Sequence, residues 1–314
     1  MKNRSSNNDD LIPYQAGEHC DAAVRQYLTA SLASNTLLAY RSDLKHFSAW
    51  GGVIPTTPEQ IANYVAYYAS RLAESTLSRR LVAIAHAHTV QGLASPTNTA
   101  LVRATLKGVR RARVQTIRQV AALQKQQLIQ MVKGLTGMAG LRDTALLMIG
   151  FSGAMRRSEL VALDIEDIRL SEDGARIRLR RSKTDQEGRG RVIAIPRMRG
   201  RYCPCRVLEV WLKSAKITTG ALFRQVNRFG QVLPLRLSAQ SVALIIKQRA
   251  EGAGLDSTRY SGHSLRAGFA TNAARQGAST SSIREQTGHK SDAMLNRYIR
   301  NAELFRDNPL SKIW

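Results

Sequence analysis

The sequence contains no run of about eighteen consecutive apolar residues, so it offers no candidate membrane-spanning helix. Its opening segment, MKNRSSNNDD, is polar and lacks the apolar stretch of a secretory leader, and a cytoplasmic location is expected. Cysteine is scarce. Cys20, Cys203 and Cys205 cannot make a disulfide framework, which fits a reducing compartment. Cys203 and Cys205 flank a single proline, too tight a spacing for the usual zinc knuckle, so both read as structural and no metal or other cofactor is expected.

Acidic residues are also in short supply: 23 Asp and Glu stand against 47 Lys and Arg, a net charge of +24. An excess of this size points to a polyanionic partner, nucleic acid first and a membrane surface second. The shortage is local as well as global. Between Ser75 and Arg142 there is no Asp or Glu, but there are 11 Lys or Arg. A merely solvated surface has mixed signs, because a one-signed surface repels itself. This stretch therefore reads as a phosphate-binding face, with Arg79, Arg80, Lys107, Arg110, Arg111 and Arg113 as contributors and Arg41 added from the helix before it.

The 314 residues suit two domains, and the 43% hydrophobic content is enough for ordinary cores. Residues 1–15 read as a flexible tail. Tyr40, Leu44 and Phe47 fall at i, i+4 and i+7 on one helical stripe. Thr57-Pro58-Glu59-Gln60 has the form of a capping box with proline at the first helical position. Ile61, Tyr64, Val65, Tyr68 and Leu72 continue that helix. A third carries Leu77, Leu81 and Ile84, and a fourth follows Ser95-Pro96. Residues 16–112 thus predict a helical bundle without strands, and 113–123 a linker. Residues 124–314 are mixed. Ile177 and Leu179 alternate with Arg176, Arg178 and Arg180, and Val192 to Ile195 is a short β-branched run closed by Pro196. The fold class expected is mainly α with a small antiparallel β-sheet.

Four segments of the second half carry reactive side chains. They are Gly153-Ala154-Met155-Arg156-Arg157-Ser158-Glu159-Leu160, Ser182-Lys183-Thr184, Gly262-His263-Ser264-Leu265-Arg266, and Gly288-His289 with Tyr298 nine residues on. Each alone has an ordinary explanation. An arginine pairs with a carboxylate such as Glu159, a lone histidine is structural, and a C-terminal tyrosine packs. In this order they form a phosphate-transfer set: two guanidiniums for the phosphate oxygens, a lysine, two histidines and a phenol.

The arrangement resembles the tyrosine recombinases, the phage integrase family. Their pattern is an R-x-S-E-L segment, a hairpin lysine, H-x-x-R, then G-H or G-W, then tyrosine. Arg156, Lys183, His263 with Arg266, His289 and Tyr298 match every element. The likeness covers nearly the whole chain and comes nearest to the Cre-type site-specific recombinases, in SGHSLRAGFATNAARQGAS and RYIRN. His289 departs from that branch, which has tryptophan there, and agrees with most of the family. The resemblance implies a helical core-binding (SAM-like) DNA-binding domain at 16–112 and a catalytic domain with the DNA breaking-rejoining fold at 124–314.

It also implies roles. Tyr298 attacks a DNA phosphate to give a 3′-phosphotyrosine, so rejoining needs no ATP and no metal is required. Arg156 and Arg266 bind the non-bridging oxygens, His263 is the general base, His289 donates to the phosphate and Lys183 protonates the 5′-oxygen. A helix beginning Ser238-Ala239-Gln240-Ser241 matches one that lies in the major groove. Gln240 is there either an adenine reader or a polar residue near a cap. The tail, with Leu310, Ile313 and Trp314, either folds back or docks on a neighbouring protomer. Docking would link a homotetramer on two double-stranded DNA sites of inverted-repeat form, with strand exchange through a Holliday junction in the nucleoid. The competing readings are a type IB topoisomerase, a telomere resolvase and a non-enzymatic DNA-binding regulator.

Overall fold

The computed structural model describes residues 31–112, 120–180 and 190–289, with positions 21, 23, 24, 27, 291, 295, 296, 298 and 313. Residues 1–15, Arg113, Lys183 and most of 303–314 lie outside the described residues. The chain divides into two compact units, Met1–Ile117 and Arg118–Trp314, each with its own core.

The first unit includes the helices α1 (Ser34–Ala49), α2 (Pro58–Tyr68), α3 (Glu74–Val90) and α4 (Ala100–Ala112). The expected stripe on α1 turns inward. Phe47 and Leu44 are buried, and Tyr40 packs beside them against Ile61, Tyr64, Leu77, Ile84 and Val102. Thr57 caps α2 by accepting from the Gln60 amide at 3.3 Å. The reciprocal half of the expected capping box is replaced. Thr56 is buried and its hydroxyl needs an acceptor, so the Gln60 side-chain oxygen takes that proton at 2.6 Å. The helix expected from Pro96 begins as a 3-10 turn, Pro96–Asn98. Extended Thr99 interrupts it, and α4 starts at Ala100.

The second unit contains α5 (Lys125–Val132), α6 (Gly137–Ser152), α7 (Arg157–Ala162), α8 (Pro204–Ala215), α9 (Ala239–Gly252), α10 (Gly262–Arg275) and α11 (Thr280–Thr287), together with a sheet of β1 (Ile168–Leu170), β2 (Gly174–Leu179) and β3 (Arg191–Pro196). The sheet is antiparallel in the order β1-β2-β3, with Ile168 opposite Ile177 and Ile177 opposite Ile193. The period-2 pattern of β2 is realised: Ile177 and Leu179 are buried and Arg176 and Arg178 exposed. Trp211 is fully buried and donates to the Leu222 carbonyl at 3.0 Å. A second hairpin, β4 (Arg224–Val226) with β5 (Val232–Arg236), was not expected from the sequence. Among the described residues no helix is long and apolar enough to cross a membrane.

Candidate active site

The site forms where the turn between α6 and α7 meets the start of α10. Gly153 ends α6, and Ala154 follows with φ +48°. A left-handed conformation is uncommon for a residue with a Cβ and costs about 1 kcal/mol or more. Here it places the Ala154 carbonyl 2.9 Å from Nη1 of Arg266, which donates to it. Arg156 stands at the N-cap of α7. Its backbone amide donates to Oε2 of Glu159 at 2.9 Å and its Nη1 to Oε1 at 2.5 Å. Glu159 is buried, so one carboxylate fixes both the main chain and the guanidinium of Arg156.

Helix α10 presents His263 and Arg266 on one face, three residues apart. Ser261 caps it by accepting from the His263 amide at 3.2 Å, and Ser264 closes the capping box by accepting from the Ser261 amide at 3.0 Å. Arg266 is 1% exposed. Burial, and then the charge of Arg156, lowers its proton affinity to about 10, still cationic at neutral pH. Its Nη2 is buried and makes no hydrogen bond. An unpaired buried guanidinium N–H is expensive unless an anion arrives to take it.

Two residues beyond the left-handed C-cap Thr287-Gly288 complete the site. His289 is buried, with Nδ1 2.8 Å from Oγ1 of Thr287. Burial first, then Arg266 and Arg156, depresses its proton affinity to about 4. Tyr298 is helical and half-buried, and packs against Ala270, Ala274, Ile283 and Leu295. Its hydroxyl lies 2.6 Å from Nε2 of His263. Lost hydration on the ring's inner side lowers the His263 proton affinity, and Arg266 and Arg156 lower it further. A neutral imidazole thus faces a phenol at hydrogen-bond distance, with two guanidiniums behind it.

Five of the six residues predicted to do chemistry are therefore in one constellation: Arg156, His263, Arg266, His289 and Tyr298. Lys183, the sixth, lies outside the described residues. The residues predicted to touch DNA are spread more widely. Arg41, Arg79, Lys107, Arg110 and Arg111 are exposed. Arg79 pairs with Asp43 at 2.8 Å, and Arg110 is paired with Glu74. Arg80 points inward, with Nε 3.6 Å from the buried carboxylate of Asp43 and Nη1 3.3 Å from the Tyr64 hydroxyl. Gln240 is exposed in the first turn of α9, whose cap is supplied by Ser238 through the Ser241 amide. Arg113 lies outside the described residues.

Sequence reasoning missed Ala154, Thr287 and Arg191. The first two act through backbone geometry and a neighbouring hydroxyl, for which the sequence carries no pattern. Arg191 is one cation among 47.

The model of the phage integrase family matches residues 119–304. An integrase/recombinase described as a XerD homolog, from Selenomonas ruminantium, is 38% identical over 308 residues, covering 95% of this chain and 90% of that protein. The recombinase Cre of Escherichia phage P1 is 23% identical over 270 residues, covering 79% of this chain and 77% of that one. A solved lambda integrase tetramer bound to a Holliday junction shares the fold, with a TM-score of 0.59 at 17% identity, covering 88% of this chain and 75% of that one. A mainly helical chain with small antiparallel sheets, bearing this constellation and these relatives, belongs to the phage integrase family and is a tyrosine-type site-specific DNA recombinase.

Proposed function

We propose that Tyr298 is the nucleophile and that the enzyme works without metal or ATP. The observation that carries this reading is the 2.6 Å approach of the Tyr298 hydroxyl to His263 Nε2, beside Arg156 and Arg266. A free tyrosine phenol titrates near 10, so a phenol nucleophile at neutral pH must lose its proton as it attacks. His263, kept neutral by its surroundings, takes that proton. The Tyr298 oxygen bonds to phosphorus and the bond to the 5′-oxygen breaks. Lys183 gives the leaving oxygen its proton. Negative charge growing on the non-bridging oxygens is met by the two guanidiniums and a hydrogen bond from His289. Such preorganised donors are worth about 3–4 kcal/mol each in transition-state stabilisation. The phosphodiester energy stays in the 3′-phosphotyrosine link. A 5′-hydroxyl from a second site attacks that link in the reverse sense, so exchange proceeds through a Holliday junction.

The first unit serves as the core-binding domain, through the exposed Arg41, Arg79, Lys107 and Arg111 with Arg110 and Arg113. Gln240 on α9 reads a base in the major groove. Four protomers act on two inverted-repeat sites in the nucleoid. An apolar groove of about 890 Å³ on the second unit, lined by Leu128, Ile129, Met148, Phe151, Phe269 and Ile283 among others, is the seat for residues 303–314 of a neighbouring protomer.

The test is a nicked suicide substrate. Wild-type protein is expected to give an SDS-stable protein–DNA adduct, and Tyr298→Phe none while still binding. An adduct formed by the variant would assign the nucleophile elsewhere.

A further inference from the structure

Arg191, the first residue of β3, brings a third guanidinium to the site. Its Nη1 donates to the carbonyls of Gln286 at 2.7 Å and Glu285 at 3.2 Å, in the last turn of α11. Those carbonyls have no partner within the helix, and the helix end favours a cation. The seat is close. Gly288 ends α11 at φ +65°, and a Cβ there would lie 2.9 Å from Cζ of Arg191. Gln286 adds a second tie, donating to the Ala194 carbonyl of the same strand at 3.2 Å and to the Ser152 carbonyl at 2.9 Å. Strand β3 thus holds the chain directly before His289.

The other end of the guanidinium faces the arginine cluster. Nη2 of Arg191 is buried, makes no hydrogen bond and lies 3.9 Å from Oε2 of Glu159. Glu159 is the carboxylate that also holds Arg156. Two guanidiniums, from Arg156 and Arg191, therefore share the one carboxylate of Glu159, and Arg266 feels its charge from nearby. A helix end near the surface needs no such residue, because water caps it without cost. Burying a third cation beside two others is unfavourable by itself. The arrangement gains its use when a phosphate enters. Arg156 is drawn toward the anion, and Glu159 needs a second cation in place.

We propose that Arg191 is a positioning residue for strand cleavage: it locks the end of α11, and through it His289, against β3, and it shares Glu159 with Arg156. The inference rests on the cleavage reading given above.

The experiment compares wild type, Arg191→Lys, Arg191→Gln, Arg191→Ala, His289→Ala and the Arg191→Ala/His289→Ala double variant. It reads single-turnover adduct formation on the nicked substrate, affinity for the same site, and the NMR titration of the His289 ring. A displaced catalytic group costs about 100-fold in rate, and that loss is expected for Arg191→Ala and Arg191→Gln, with Arg191→Lys recovering part of it. Affinity is expected to stay within about threefold of wild type, and the double variant within about threefold of His289→Ala, because residues acting as one unit are not additive. The His289 titration is expected to move upward in Arg191→Gln, since a nearby positive charge is gone. Wild-type rates in all Arg191 variants, or multiplicative losses in the double variant, overturn the proposal. Should Arg191→Ala fail to bind DNA through misfolding, the Lys and Gln variants carry the same comparison. Absence of any adduct with wild type would instead refute the cleavage reading itself.

Discussion

The hydroxyl of Thr287 lies 2.8 Å from Nδ1 of His289 and 2.7 Å from the carbonyl of Ile283. A hydroxyl has one proton, and the carbonyl can only accept, so the carbonyl takes it. Nδ1 must then carry the ring hydrogen and donate to Thr287. With a proton affinity near 4 the ring is neutral at pH 7, and its Nε2 is bare. A bare nitrogen cannot donate to phosphate. The proposed role for His289 therefore requires the ring to gain a proton as DNA binds, and the anion supplies the driving force. Nitrogen-15 NMR is expected to show the neutral Nδ1–H form in the free protein. In the complex of the Tyr298→Phe variant with its site it is expected to show a doubly protonated ring.

The same pair sets a stability prediction. Thr287→Val leaves the buried Nδ1–H without an acceptor, at a cost of about 1–3 kcal/mol. Urea denaturation is expected to register that loss, and Thr287→Ser is expected to restore most of it.

His289 also makes the fold sensitive to acid. Its folded value, about 4, lies below the ordinary 6.5, so between those pH values the unfolded chain binds more protons. The stability contribution is complete above about pH 6.5 and is lost as pH falls toward 4. At about 1.4 kcal/mol per pH unit, the loss over that window is about 3 kcal/mol. Denaturation of wild type and His289→Gln at pH 7 and pH 4.5 checks this. The variant is expected to lose less stability on acidification. His263 shifts in the same direction, so the variant retains part of the dependence.

Gly268 on α10 fixes where His263 and Arg266 sit. A Cβ at this position would lie 2.3 Å from the Leu123 carbonyl oxygen and 3.0 Å from its nitrogen, both backbone atoms that cannot swing aside. Gly268→Ala is expected to push α10 away from the 120–124 segment and to cost about 1–3 kcal/mol, as overpacking does. A lower melting temperature with a slower cleavage rate is the expected pair of results.

Much of this was legible in the sequence, for physical reasons that also explain the gaps. Tyr40, Leu44 and Phe47 announced α1 because one side of it is buried. Ile177 and Leu179 announced β2 because burial alternates with exposure there. The β4–β5 hairpin gave no such signal. Its residues are half-buried or exposed on both faces, and Pro234 interrupts the run. The grouping of Arg156, His263, Arg266, His289 and Tyr298 was legible because the proposed phosphate transfer asks for particular residue types in a fixed order. Arg191 and Thr287 were not, because their significance lies in contacts with Glu159, the end of α11 and a ring nitrogen, which only the fold creates. Arg80 shows the converse. Its place in a basic stretch suggests a surface contact, while the buried carboxylate of Asp43 draws it inward.

In the proposed reaction Tyr298 carries the DNA during exchange. The most direct test is to trap the adduct on a nicked substrate, digest protein and DNA, and sequence the nucleotide-bearing peptide by mass spectrometry. One modified peptide is expected, with the 3′-phosphate of the cleaved strand on the Tyr298 oxygen. A nucleotide attached to any other residue, or cleavage that leaves no covalent link, would contradict it.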